Sequence, residues 1–212
     1  PLKEYCFLNY LYKLKTNSNS LLISMRKQFL FLALALIVSV NSFSQVIFEN
    51  GYFISENNQK TSCLIENMDW KNTPVNFRYK LDESGEIKTA DIKTIKEFAV
   101  SGQFKFISSV VKIDRSSKRI EFMTKDKNPV FSTEKLFLQV LMEGKANLYL
   151  YNDGTVRRFF YKTDNSEIKQ LVYKTYLADD DHTAKNNQFR EQLFIDLKCD
   201  GVLMNEYEKL TY

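Results

Sequence analysis

His182 is the only histidine in the chain of 212 residues, and it directly follows Asp179, Asp180 and Asp181. Carboxylates beside an imidazole form a ligand set for a divalent cation. The same four residues also suit a solvated loop leading into a helix, which is the plainer reading. A single histidine confines any Ser-His-Asp or Cys-His arrangement to that one position. No CxxC or HExxH spacing occurs. Two carboxylate pairs, Glu66 with Asp69 and Asp153 with Asp164, have the residue types of a glycosidase acid and base. With 26 acidic residues in the chain, such pairs arise from composition alone. The glycines are Gly51, Gly85, Gly102, Gly144, Gly154 and Gly201, and none falls in a phosphate-binding loop. The sequence therefore nominates no catalytic residue, no metal ligand and no cofactor.

Three further features bear on binding. "DRSSKR" (Asp114–Arg119) and "KDK" (Lys125–Lys127) make a long polar stretch locally basic, suited to anionic headgroups, to a partner or simply to water. Trp70, the only tryptophan, lies in "MDWKNTP" as a core edge or a sugar-stacking platform. Cys63 and Cys199 are a candidate disulfide, with a partner for Cys199 beyond Tyr212 as the other option.

Charge sorts the partners. The chain carries 30 Lys+Arg and 26 Asp+Glu, but residues 1–44 hold five of the cations and one of the acids. The remainder has 25 of each. A nucleic-acid binder draws most of its affinity from a basic face, and a neutral balance gives that class no support.

The excess of cations belongs to a leader. Met25 is followed by Arg26 and Lys27, an apolar run from Phe29 to Val40, and then "NSFS" before Gln45. This is the pattern of a secretory signal peptide cleaved after Ser44. The run is too short for a membrane span, which needs about 20 apolar residues, and no cysteine follows it to carry a lipid. Residues 1–24 read as an upstream extension outside the fold, 25–44 as the signal peptide, and the exported part as residing in the periplasm or at the outer membrane.

The elements that must position any site are mainly strands. "GYFISENNQKTSCLIEN" reads as two strands around a turn at Asn57-Asn58. In "VNFRYKL", Val75, Phe77, Tyr79 and Leu81 alternate with polar residues, as in a half-buried strand. "EIKTADIKTIKEFAV" reads as strand, turn and strand, and "QFKFISSVVKID" as a strand closed by Asp114. Arg115–Thr133 is a long connection. "KLFLQVLMEG" is apolar on both faces, as a central strand or one between two layers would be. Asp153-Gly154 marks a hairpin that would pair Tyr151 with Val156, Tyr149 with Arg158 and Leu148 with Phe159. "EIKQLVYKTYL" makes one further strand. Phe189, Leu193, Phe194 and Leu197 then follow helical spacing, with Thr183 as the N-cap.

These strings, above all "GYFISENNQKTSCLIENMDWKNTPVNFRYKL", "FLQVLMEGKANLYLYNDGTVRRFFYK" and "NNQFREQLFIDLKC", resemble a family of uncharacterised exported β-rich proteins of Bacteroidota, as does the "SFSQ" cleavage region. The resemblance covers most of Gln45–Cys199 and carries no catalytic residues. It implies a downstream region resembling an outer-membrane β-barrel, and a partner for Cys199 beyond Tyr212 in preference to Cys63.

The expectation is a mainly β fold, a curled antiparallel sheet or small barrel-like sandwich over 45–178, with one C-terminal amphipathic helix (179–199) packed on it. Residues 200–212 would begin a truncated downstream region. The expected function is a non-enzymatic periplasmic or surface module that binds an unknown protein or small-molecule ligand, tied to the outer membrane by downstream sequence. A periplasmic β-barrel holding an apolar ligand is the alternative, and a carbohydrate-active hydrolase the third.

Overall fold

The computed structural model describes residues 46–68, 70–164, 166–198 and 201–212. The leader, the upstream extension, Asp69 and Cys199 lie outside the described residues, as do the expectations that rest on them.

The protein is mainly β, as its alternation predicts. Ten strands form one sheet: β1 (Phe48–Ser55), β2 (Lys60–Glu66), β3 (Asn76–Lys80), β4 (Lys88–Asp91), β5 (Ile95–Val100), β6 (Phe104–Asp114), β7 (Phe131–Met142), β8 (Ala146–Asn152), β9 (Arg157–Thr163) and β10 (Lys169–Gln170). Their spatial order is β10-β9-β8-β7-β6-β5-β1-β2-β3-β4, antiparallel throughout. A separate two-stranded sheet pairs β11 (Lys174–Leu177) with β12 (Thr183–Asn186). Helices α1 (Phe189–Asp196) and α2 (Met204–Tyr207) follow.

The connection from β4 to β5 explains the curl. These strands sit on opposite sides of the group β5-β1-β2-β3-β4, yet only Ile92, Lys93 and Thr94 join them. A flat sheet cannot satisfy so short a link, because neighbouring strands are about 4.8 Å apart. The five strands therefore bend around a core of Cys63, Ile65, Phe77, Phe98, Phe106 and Phe137. Phe98 is the hub: Phe77 stacks on it at 4.2 Å and Phe106 at 5.1 Å, while Phe137 meets it edge-on. Gly51 on β1 serves the same curl, since a Cβ there would collide with the Ala99 carbonyl of β5.

The other half packs its core on the opposite face of the shared strand β7. Phe137 and Leu138 are consecutive on β7, so they face opposite sides of the sheet, and both are fully buried. Phe137 belongs to the first core. Leu138 belongs to a second, with Val111, Ile113, Tyr149, Tyr151 and Phe160. This is the physical reason "KLFLQVLM" lacks alternation. On the outer face of β8–β9, a third cluster forms where Tyr161 and Leu171 meet Phe189, Leu193 and Leu197 of the C-terminal segment.

Several expectations change in detail. Tyr151 pairs with Arg158, Tyr149 with Phe160 and Leu148 with Tyr161, a slip of two residues from the expected hairpin register. Asp153 causes it: its Oδ1 accepts the Thr155 and Val156 N–H groups, each at 2.8 Å, which closes a four-residue turn. "EIKQLVYKTYL" is two short strands in different sheets, β10 and β11. Thr183 is not a helix cap but the first residue of β12, and the helix starts six residues later at Phe189. Val75 and Leu81 flank β3 and are exposed, while Phe77 is buried.

Candidate functional site

The residues nominated by type separate in space. Asp153 and Asp164 lie beyond opposite ends of the seven-residue β9, which at about 3.4 Å per residue places them roughly 20 Å apart. A glycosidase pair works across about 5–9.5 Å, so this one cannot act together. Glu66 is buried and its carboxylate takes both the Nε and Nη2 donors of Arg78. His182 sits in the exposed turn between β11 and β12, its Nδ1 2.8 Å from Asp179 Oδ1. Asp179 Oδ1 also accepts the N–H of Asp181 and His182, which is local turn chemistry. No group of metal-ligating side chains occurs among the described residues.

The basic stretch is mostly consumed by pairing. Arg115 binds Glu134 through Nε at 3.1 Å and Nη2 at 2.6 Å, binds Asp153 through Nη1 at 2.5 Å, and covers the Tyr151 ring. Partial burial works against charge on Asp153, but the hydrogen bonds from Val156 and Thr155, with Arg115 beside it, outweigh that and hold the carboxyl at about 2. Arg119 meets Glu121, and Lys125 meets Asp180 at 2.7 Å. The rest of the stretch is fastened to the small sheet. Leu177 N–H donates to the Thr124 carbonyl, Asn186 Nδ2 to the Lys127 carbonyl, and the buried Lys174 Nζ to the Asn128 carbonyl. The long connection therefore acts as a bracket between the two sheets.

Trp70 packs on Phe104, Phe98 and Phe106 with ring centroids 5.3–6.0 Å apart, at the edge of the first core. The segment following it crosses to the β8–β9 turn. Thr73 N–H donates to the Asn152 carbonyl at 2.6 Å, Asn152 N–H returns to Thr73 Oγ1 at 2.9 Å, and Asn152 Nδ2 reaches the Lys71 carbonyl at 2.8 Å. Cys63 is a free, buried thiol whose burial pushes it up to about 11.

The recess that residue types did not announce runs along β6. β5 pairs with β6 only between Phe104 and Ile107, whereas β7 accompanies it from Phe106 to Asp114. From Ser108 onward, one edge of this central strand has no paired strand among the described residues. β10 approaches only its far end. There Asp114 N–H donates to Gln170 Oε1 at 2.8 Å, and Arg158 Nε donates to the Asp114 carbonyl at 2.8 Å. The backbone groups of Asp114 thus point away from β7. The β6–β7 register has no break, so those of Lys112 and Val110 point the same way. Among the described residues they meet no partner on that side.

A groove of about 940 Å³ follows this edge. Ser109–Lys112 form one wall, Ser166–Gln170 the other, and Gln188 and Gln192 close it toward α1. Lys112, Lys162 and Lys169 line it against the single acid Glu167. Lys169 is 3.4 Å from Asp196, while Lys112 and Lys162 form no ion pair among the described residues. Gln170 is 4% exposed, and its Nε2 has no acceptor among the described residues although its Oε1 is held by the Asp114 N–H. Comparison with known proteins gives no match to a family model, to a curated protein or to a solved structure.

Proposed function

We propose that the chain is a non-enzymatic binding module of the bacterial envelope, exported by the leader at 25–44 and associated with the outer membrane. The observation that carries this reading is the groove along β6. It offers unpaired backbone and lysines to a partner, whereas the carboxylates with acid–base potential are engaged elsewhere: Glu66 by Arg78, Glu134 and Asp153 by Arg115. The leader pattern and the resemblance to exported proteins of Bacteroidota support the location. The aromatic interior favours this reading over a carrier of apolar ligands, because Phe77, Phe98 and Phe106 fill with their own rings the space such a carrier keeps for cargo.

The test is expression of the full chain with a C-terminal tag in a Gram-negative bacterium, followed by fractionation and N-terminal sequencing. The expected product begins at Gln45 and sediments with the envelope. An unprocessed chain in the cytosol would overturn the reading.

A further inference from the structure

We infer that the open edge of β6 takes up an extended acidic peptide segment of another polypeptide as an added strand. The inference rests on the reading of the chain as a binding module and names the chemistry of its partner. An ordinary sheet edge is the last strand of a sheet, commonly short or covered. β6 is an eleven-residue strand in the middle of a ten-stranded sheet, and it loses its neighbour halfway along because β5 turns away into the first curl. Strand addition uses what is offered there: main-chain hydrogen bonds give affinity, and alternate side chains give selectivity.

Charge decides the class of peptide. Val110 and Lys112 share one face of β6, and Val110 is 64% exposed. Lys162 and Lys112 bring two uncompensated cations to the groove, and Glu167 alone opposes them. An added strand with carboxylates at alternate positions would neutralise them. A second copy pairing through the same edge would instead set lysines against lysines, a like-charge arrangement that costs free energy.

The experiment uses the full chain and two fluorescein-labelled octapeptides, four repeats of Val-Glu and four of Val-Lys, followed by fluorescence anisotropy. The Val-Glu peptide should bind, and the Val-Lys peptide should bind at least about tenfold more weakly at 0.15 M salt. Lys112→Glu combined with Lys162→Glu should reverse that order without touching the backbone. N-methylation of the Val-Glu peptide at one alternate set of residues should abolish binding, and at the other set should leave it intact. Equal binding of both peptides, insensitivity to the double substitution, or tolerance of both methylation patterns would each overturn the inference. So would a dimer in sedimentation equilibrium that Lys112→Glu dissolves, which would give the edge to a second copy. Failure of peptide binding in a chain that is still processed and held in the envelope removes this inference alone. Peptide binding by a chain left unprocessed in the cytosol removes the envelope reading alone.

Discussion

Arg158 and Asp114, 44 positions apart, meet in the interior with almost no exposure: Nη2 lies 3.4 Å from Oδ2, while Nε holds the Asp114 carbonyl at 2.8 Å. The guanidinium also reaches the carbonyls of Ser116 and Arg157. One side chain thus fixes the strand end that faces β10. A buried charge survives only when paired and fully hydrogen-bonded.

Replacing that guanidinium leaves the buried Asp114 carboxyl without its cationic partner. Arg158→Met is expected to cost about 3–5 kcal/mol in urea unfolding, and Arg158→Lys should recover little of it, because one ammonium cannot span the three carbonyls. A loss below about 1 kcal/mol would show that the pair does not hold the seam.

Asp153 makes stability depend on acid. Its folded-state value of about 2 lies below the ordinary 3.8, so its contribution is complete above pH 4 and disappears as the pH falls through 2. Solvent screening limits the effect to about 1 kcal/mol. Urea titrations at pH 7 and pH 2 should show a smaller acid loss in Asp153→Asn than in the parent. Equal losses would remove Asp153 from the account.

Cys63 should resist alkylation. A thiol pushed up to about 11 is almost wholly protonated at pH 8. Iodoacetamide followed by peptide mapping should leave Cys63 unmodified in the native protein and modify it fully in denaturant. Rapid native labelling at Cys63 would contradict its burial.

Trp70 reports on the crossing segment. Thr73→Val with Asn152→Ala removes the side-chain bonds that tie the segment to the β8–β9 turn, and the emission of the sole tryptophan should move to longer wavelength as its ring leaves the phenylalanines. An unchanged spectrum would mean that ring packing alone holds the segment in place.

Much of the fold is legible in side-chain period. Alternation marks β3, the double-faced run of β7 marks a strand between two cores, and Asn57-Asn58 marks a turn in which Asn58 adopts φ 63°. The hairpin at Asp153-Gly154 is readable too, but its register is not, because the Asp153 carboxylate closes a longer turn than the dipeptide implies. A slip of two residues preserves the faces, so Tyr149, Tyr151 and Phe160 still point inward. The helix start is hidden for another reason: Thr183 is equally good as an N-cap or a strand residue, and pairing with Leu177 decides it. The groove has no local signature at all. It depends on where β5 parts from β6, which the three-residue link to β4 determines from a distance.

The tie between Thr73 and Asn152 also orders events in time. Hairpins such as β1–β2 and β8–β9 close locally and fast, whereas this contact spans 79 positions and must wait for the chain to supply its second half. During synthesis the aromatic cluster around Phe98 is complete before the β8–β9 turn exists. The rings that Trp70 packs on, Phe98, Phe104 and Phe106, come early in the chain, so its segment can dock by ring stacking first and be pinned by Asn152 only afterwards.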